Sequence, residues 1–230
     1  MSWLTHQRQG ESGEASALQT RGVVITNAWR YDLRLWLGNL LSGGKLQTLR
    51  NMTADLAELR SGETVLDVGC GTGALALVAC ERIGAAGRMV GIDPSPQMIA
   101  SARRKAKRAK RAIDFQLGVI EHLPFSDQSC DAVMATMMMH QLPDDLQRQG
   151  LSEIARILKP GGRVVVVDTK RPDGQHQGQS AQPVRTLPWE SSLQDQPQLL
   201  KEVGFSQIEA GDTGFQFRGF EIGFVRARKS

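Results

Sequence analysis

Asp67 and Asp93 are carboxylates set in two short apolar runs, Val65-Leu-Asp-Val68 and Met89-Val-Gly-Ile-Asp93, and Gly69, Gly71 and Gly73 alternate through the loop after the first run. Glycine lacks a Cβ, so this loop reaches positive φ without strain and lets a small ligand touch the main chain. The next run, Ala74-Leu-Ala-Leu-Val-Ala-Cys80, consists largely of helix formers. The order is therefore strand, glycine loop, helix, which is the context a nucleotide-type fingerprint requires. A dinucleotide site places pyrophosphate at the helix N-terminus, where Asp67 would repel it. A ligand with a cationic portion suits that acid better. S-adenosylmethionine carries an ammonium and a sulfonium and no phosphate, so Asp67 is expected to bind it directly or through water.

Asp93 follows Gly73 by 20 residues at the end of a second buried run, where parallel-sheet geometry sets an acid beside a ribose. It is expected to accept hydrogen bonds from two ribose hydroxyls. The competing role is a helix N-cap, since Asp93-Pro-Ser-Pro96 offers both a capping acid and a proline for the first helical turn. Ser95 can take the cap instead and leave Asp93 free. Farther on, His140 has the chemistry of a general base, with an ordinary pKa of about 6.5. It equally suits a packing or loop-orienting role, and both readings stay open. Met137-Met-Met139 before it reads as core or as an adaptable pocket wall.

Taken in order, Val65 to Gly73, Gly91-Ile-Asp-Pro-Ser95, Glu121-His-Leu-Pro-Phe125, His140-Gln-Leu-Pro143 and Leu158-Lys-Pro-Gly-Gly162 resemble the class I S-adenosylmethionine-dependent methyltransferases. The small-molecule branch that includes the quinone-biosynthesis methyltransferases is the nearest in look. The resemblance is strong over residues 50–170 and weak at the ends. It implies a Rossmann-like α/β fold: a seven-stranded, mostly parallel sheet with helices on both faces and an antiparallel C-terminal edge. It also implies a cofactor-binding set of Asp67, Gly69, Cys70, Gly71, Thr72, Gly73, Asp93, Pro94, Val119, Ile120, Glu121 and Thr136. Within that set Thr72 and the glycines lie against the methionine portion, Asp93 holds the ribose, and Thr136 approaches the methionine end. The branch's usual Gly-Asp-Ala-Glu reads Gly118-Val-Ile-Glu121 here, so Val119 and Ile120 flank the adenine and a side-chain acceptor for its amino group is missing at Val119. Losing one such hydrogen bond costs about 1 kcal/mol.

Methyl transfer from a sulfonium asks little of protein groups beyond alignment. Orientation is worth roughly 7 to 11 kcal/mol, whereas a general base adds about 10² to 10⁴-fold, so His140 is optional for an acidic or soft acceptor. The acceptor is expected to be a small, partly apolar molecule. Two other functions compete: a non-catalytic S-adenosylmethionine-binding partner or regulator, and a nicotinamide-dependent dehydrogenase. The last is disfavoured by Asp67 and by the Gly-x-Gly-x-Gly spacing.

With 230 residues, 40% of them hydrophobic, the chain is long enough for a sizeable single core. No run approaches the roughly 20 apolar residues of a membrane span, and residues 1–20 lack the apolar stretch of a secretory signal. Cys70, Cys80 and Cys130 show neither zinc nor disulfide spacing, which fits a reducing cytoplasm and no metal. The net charge of +4 is concentrated: seven of the nine residues from Arg103 to Arg111 are Lys or Arg. Met98, Ile99, Ala102, Ala106 and Ala109 recur at helical spacing, so the cations are expected on the solvated side of an amphipathic helix remote from the cleft. Nucleic acid is not an expected partner, and a homodimer is left open.

Residues 1–21 read as a flexible arm, 22–60 as a helical segment covering the active site, and 61–230 as the cofactor-binding domain with a long loop at about 172–190. Tyr31 and Trp36 in the covering segment are candidate substrate-pocket residues together with Met137. Helix packing explains the two aromatics equally well, and Trp189 in the loop is a weaker candidate. The spacing predicts a helix over 144–158 stopped by Gly161-Gly162, a fifth strand from Arg163 to Asp168, a helix within 191–203, and strands at 205–211 and 219–228.

Overall fold

A computed structural model describes residues 20–41, 43–171, 192–217 and 219–230. The expected arm, except for residues 20 and 21, and the loop at 172–190 with Trp189 lie outside the described residues. The parallel strands are β1 (Thr64–Val68), β2 (Arg88–Asp93), β3 (Ile113–Leu117), β4 (Cys130–Thr136) and β5 (Leu158–Thr169). Two further strands, β6 (Phe205–Phe217) and β7 (Phe220–Lys229), close the described sheet in the order β3-β2-β1-β4-β5-β7-β6. β7 runs antiparallel to β5 and to β6. This is the expected seven-stranded architecture with an antiparallel edge.

Both faces of the sheet are covered, and the strand sequences say why. Successive side chains of a strand point to opposite faces. Leu66, Val68, Val90, Ile92, Val133, Val164 and Val166 pack into one cluster with Leu146, Leu151 and Ile154 of a helix at Asp144–Ile157 (α5) and Leu200 of another at Gln196–Glu202 (α6). Val65, Met89, Ala132, Met134, Val165 and Val167 join the opposite cluster. That side is covered by helices at Lys45–Leu56 (α2), Ala74–Ile83 (α3) and Pro96–Arg108 (α4), which contribute Leu49, Ala76 and Ala79, and Ile99 and Ala102. One more helix, α1 (Ala28–Leu41), precedes them. Among the described residues no helix is long and apolar enough to cross a membrane.

Several boundaries depart from expectation. Strand β5 begins at Leu158, before Gly161-Gly162, because Leu158 already pairs with Cys130; the register then shifts before Ala132 meets Arg163. The glycines thus make an irregularity within a paired strand and no terminator. Within 191–203, Pro197 does not break the helix but starts the shorter one that such a proline allows, in the first turn of α6 after a 3₁₀ turn at Leu193–Asp195. Strand β6 runs to Phe217, past its predicted end at 211, whereas β7 has its predicted length and is shifted by one residue. The basic helix also departs: Lys105 of α4 turns inward and bonds the glycine loop and α1, so that helix is neither wholly solvated nor remote from the site.

The glycines of the first loop serve different ends. Gly73, at φ 78°, caps α3, and a Cβ there would lie 2.6 Å from Phe115. Gly71, at φ 52°, would meet nothing within 4 Å. Gly73→Ala should therefore cost on the order of 2 kcal/mol or more from strain and overlap, and Gly71→Ala on the order of 1 kcal/mol from backbone strain alone. Urea unfolding of the two variants measures the difference, and equal losses would contradict it.

Candidate functional site

The sheet reverses its strand order between β1 and β4, and in open α/β sheets ligands bind outside the carboxyl ends of strands at such a switch point. A cleft of about 700 Å³, counting the solvent in its open mouth, occupies that position. Its floor is Val68, Gly69 and Gly71 after β1, and Ile92, Asp93 and Pro94 after β2. Gly118, Val119, Ile120 and Glu121 after β3 form one wall, and Thr136, Met137 and Met138 after β4 with Gln141 and Leu142 form another. The roof comes from Tyr31 of α1 and from residues 20–25, where Thr20, Gly22, Val23 and Ile25 face the cleft. That strap is fastened by the Val23 N–H, which donates to the Gln141 carbonyl at 3.0 Å, and by an Arg21–Asp145 ion pair.

Asp93 is tied to two backbone donors. Its Oδ2 accepts from the Gly71 N–H at 2.9 Å and its Oδ1 from the Ser95 N–H at 2.9 Å. Ser95 is the N-cap of α4, its hydroxyl accepting from the Met98 N–H at 3.3 Å, so the cap falls to serine and not to the acid. Burial pushes the Asp93 carboxyl up, and the two backbone donors oppose that shift.

Asp67 sits differently from expectation. It is 2% exposed and lies beneath the loop, off the cleft surface. The Ala76 N–H in the first turn of α3 donates to it, so the helix end pulls the carboxylate away from the mouth of the cleft. Burial raises its pKa to about 8, the Asp93 charge pushes in the same direction, and the Ala76 bond opposes both. Thr72 is likewise turned away: its hydroxyl donates to Asp32 of α1 at 2.7 Å and meets Lys105 Nζ at 2.7 Å, and it does not line the cleft. Cys70 and Gly73 are also off the cleft surface, and burial holds the Cys70 thiol well above its ordinary range. Trp36 is 63% exposed and faces away from the pocket it was expected to form. Tyr31 and Met137 do reach the cleft. Burial raises the Tyr31 phenol, Arg50 opposes, and Asp93, Asp32 and Asp67 add to the rise. Met137 holds φ 56°, an uncommon backbone state for a non-glycine residue, at the end of β4.

His140 does not wall the cleft. Its Nδ1 lies 2.5 Å from Asp168 Oδ1, and its backbone N–H donates to Asp168 Oδ2 at 3.2 Å. Asp168 therefore clamps the turn at Met139–Gln141, whose neighbours Met138 and Gln141 do face the cleft. Sequence reasoning missed Asp168, although the signal was the one used for Asp93: an acid ending a buried apolar strand. Asp32 was missed too. It anchors α1 through Thr72 and Lys105, with Ser101 donating to its Oδ2 at 3.1 Å.

Four buried side-chain polar atoms lack a partner among the described residues: Asp67 Oδ2, Glu121 Oε2, Thr136 Oγ1 and Gln196 Oε1. Such atoms are rare in folded proteins and call for an explanation. Glu121 and Thr136 belong to residues lining the cleft, where a polar ligand would satisfy them. No metal-ligating cluster occurs among the described residues.

Comparison with known proteins defines the class. Residues 65–162 match a family described as a methyltransferase domain. A demethylmenaquinone methyltransferase of Lactobacillus johnsonii is 31% identical over 170 residues, which cover 73% of this chain and 66% of that protein. An arsenite methyltransferase of Halobacterium salinarum is 32% identical over 158 residues, covering 66% of this chain and 40% of that protein. The chain thus spans less than two thirds of the length of these curated relatives. Among solved structures, the cyclase SpnF superposes with a TM-score of 0.70 at 22% identity, covering 91% of this chain and 99% of that one; likeness at that identity speaks to fold alone. Residues 65–162 thus carry a methyltransferase domain, and the likeness to named methyltransferases extends over 66% to 73% of the chain.

The pH dependence of stability tests the placement of Asp67. An unfolded aspartate has a pKa of about 3.9, against about 8 in the fold. Between those values the folded chain keeps a proton that the unfolded chain has released, so stability falls as pH rises through that window and levels off above it. Asp67→Asn should remove this component, losing less stability than the parent between pH 5 and pH 9, by on the order of a few kcal/mol. Urea midpoints at the two pH values measure it, and parallel losses in both proteins would contradict a buried, protonated Asp67.

Proposed function

We propose that the chain transfers the methyl group of S-adenosylmethionine to a small acceptor with an apolar body. The observation that carries this reading is a cleft at the strand-order switch point whose wall residues present two unpartnered buried oxygens, Glu121 Oε2 and Thr136 Oγ1, above an acid-terminated β2. When bound, S-adenosylmethionine supplies an activated methyl on a sulfonium. Asp93, with oxygens already oriented by Gly71 and Ser95, is the ribose acceptor in this reading, and Pro94 stiffens its approach. Val119 and Ile120 offer apolar faces to the adenine. Glu121 supplies the side-chain acceptor that Val119 lacks. Gly69 and Gly71 leave the backbone open toward the methionine portion, and Thr136 offers its hydroxyl there. Asp67 acts from below as a buried, protonated group. The roles assumed for Thr72, Cys70 and Gly73 become those of loop supports.

Acceptor alignment falls to Tyr31, Met137 and the strap at 20–25, which enclose the cleft away from Asp93. In this reading His140 is a positioning residue that keeps the Met139–Gln141 turn clamped to Asp168, because the imidazole stands behind the cleft wall. The covering segment is 22–60 and the cofactor-binding domain 61–230. The acceptor is a small molecule, as the names of the methyltransferase relatives suggest for those proteins. A cytoplasmic setting accords with three free cysteines, two of them buried. No nucleic-acid partner is invoked.

Calorimetric titration with S-adenosylmethionine, S-adenosylhomocysteine and NAD tests the cofactor: micromolar binding of the first two and none of NAD is expected. NAD binding, or no binding at all, would overturn the reading. Asp93→Ala should weaken S-adenosylhomocysteine affinity by about tenfold or more, and unchanged affinity in a folded variant would remove the ribose assignment. Once an acceptor is found, His140→Gln should keep more turnover than His140→Ala and leave the limbs of the rate–pH profile in place. Loss of such a limb would make His140 a base.

A further inference from the structure

Large apolar side chains are exposed in one place. Among the described residues nine are more than a third exposed, and eight of them lie between Val23 and Leu40. Trp29, Leu33, Trp36, Leu37 and Leu40 recur at helical spacing along the outer side of α1, with Trp29 at 68%, Trp36 at 63% and Leu40 at 62% exposure. The opposite side of the helix is occupied: Ala28 is buried, Tyr31 faces the cleft, and Asp32 is held by Thr72, Ser101 and Lys105. The exposed stripe is therefore not an inner face left uncovered by loose packing. A contiguous apolar patch of this kind marks an interaction surface.

The neighbouring helix supplies the second half. Lys105 joins α4 to α1 through Asp32 at 2.6 Å. On the solvent side of α4 and just past its end, Arg104, Lys107, Arg108 and Lys110 are exposed, and none meets a carboxylate among the described residues. A tryptophan- and leucine-bearing helix beside uncompensated cations matches a bilayer interface with anionic headgroups: the indoles and leucines enter the acyl boundary while Lys and Arg meet the lipid phosphates. A second copy of the chain fits less well, since an isologous contact through α1 would draw the two basic clusters together.

We propose that α1, flanked by the basic side of α4, docks this protein on an anionic membrane surface and turns the cleft mouth toward the lipid. Val23 and Ile25 both line the cleft and are exposed beside the stripe, so an apolar acceptor partitioned in the bilayer meets the cleft without crossing water. That last point rests on the methyl-transfer reading; the docking does not.

Cosedimentation of the full chain with vesicles of phosphatidylcholine alone, and of phosphatidylcholine with one third phosphatidylglycerol, tests the docking. Binding to the anionic vesicles is expected, weakening as salt rises. The pair Trp36→Glu with Leu40→Glu, and separately Arg104→Glu with Arg108→Glu, should each lower the partition coefficient about tenfold or more. Both variants should keep S-adenosylhomocysteine affinity, which shows the cleft intact. Binding to neither vesicle overturns the proposal, as does vesicle binding that neither pair weakens. A dimer by light scattering that Trp36→Glu with Leu40→Glu dissociates, without vesicle binding, assigns the stripe to a second copy. Vesicle binding by a protein that takes no S-adenosylhomocysteine upholds the docking and removes the methyl-transfer reading.

Discussion

The carboxylate of Asp93 is the interaction on which the rest of the site depends. One oxygen holds Gly71 in the loop after β1 and the other holds Ser95 at the start of α4. Two segments that belong to neighbouring strands are thereby locked to one side chain. The lock joins Gly71, at a positive φ of 52°, to the N-cap of α4. It also bears on how the acid is kept at a half-buried position where desolvation opposes its charge: backbone donors on both oxygens offset part of that cost.

A second constraint is set on the outer side of the same loop. Thr72, Lys105 and Ser101 converge on Asp32, so the glycine loop, α4 and the covering helix share one polar anchor. The exposed pairs at the protein surface, such as Arg88 with Asp114, contribute little each. The Asp32 cluster is more protected, and its side chains fix how α1 lies over the cleft. Tyr31, the next residue in sequence, is brought to the cleft by the same anchoring.

The inner strands β1, β2, β4 and β5 were legible because each carries an apolar run whose residues alternate between two covered faces. Asp93 could be placed at a strand end for the same reason, whereas Val119, Ile120 and Thr136 were placed by the family resemblance. What sequence reasoning could not supply was direction. Thr72 turns outward to a partner 40 residues upstream, and Asp67 turns down to a helix end, contacts with no local signature. The start of β5 was misjudged because Pro160-Gly-Gly162 reads as punctuation by composition, whereas pairing of Leu158 with Cys130 draws the run into the sheet. Trp36 was ambiguous for a simpler reason: an aromatic on a helix shows its spacing but not which neighbour awaits it.

The chain contains one tyrosine, and it stands in the roof of the cleft among Asp93, Asp32 and Asp67 with Arg50 nearby. Any signal that belongs to phenols alone, whether tyrosinate absorbance, nitration or a ring resonance from isotope-labelled tyrosine, therefore comes from the cleft. The molecule carries a built-in, single-site reporter of ligand entry and of the electrostatic state of its acids, and no foreign probe group has to be attached to read it.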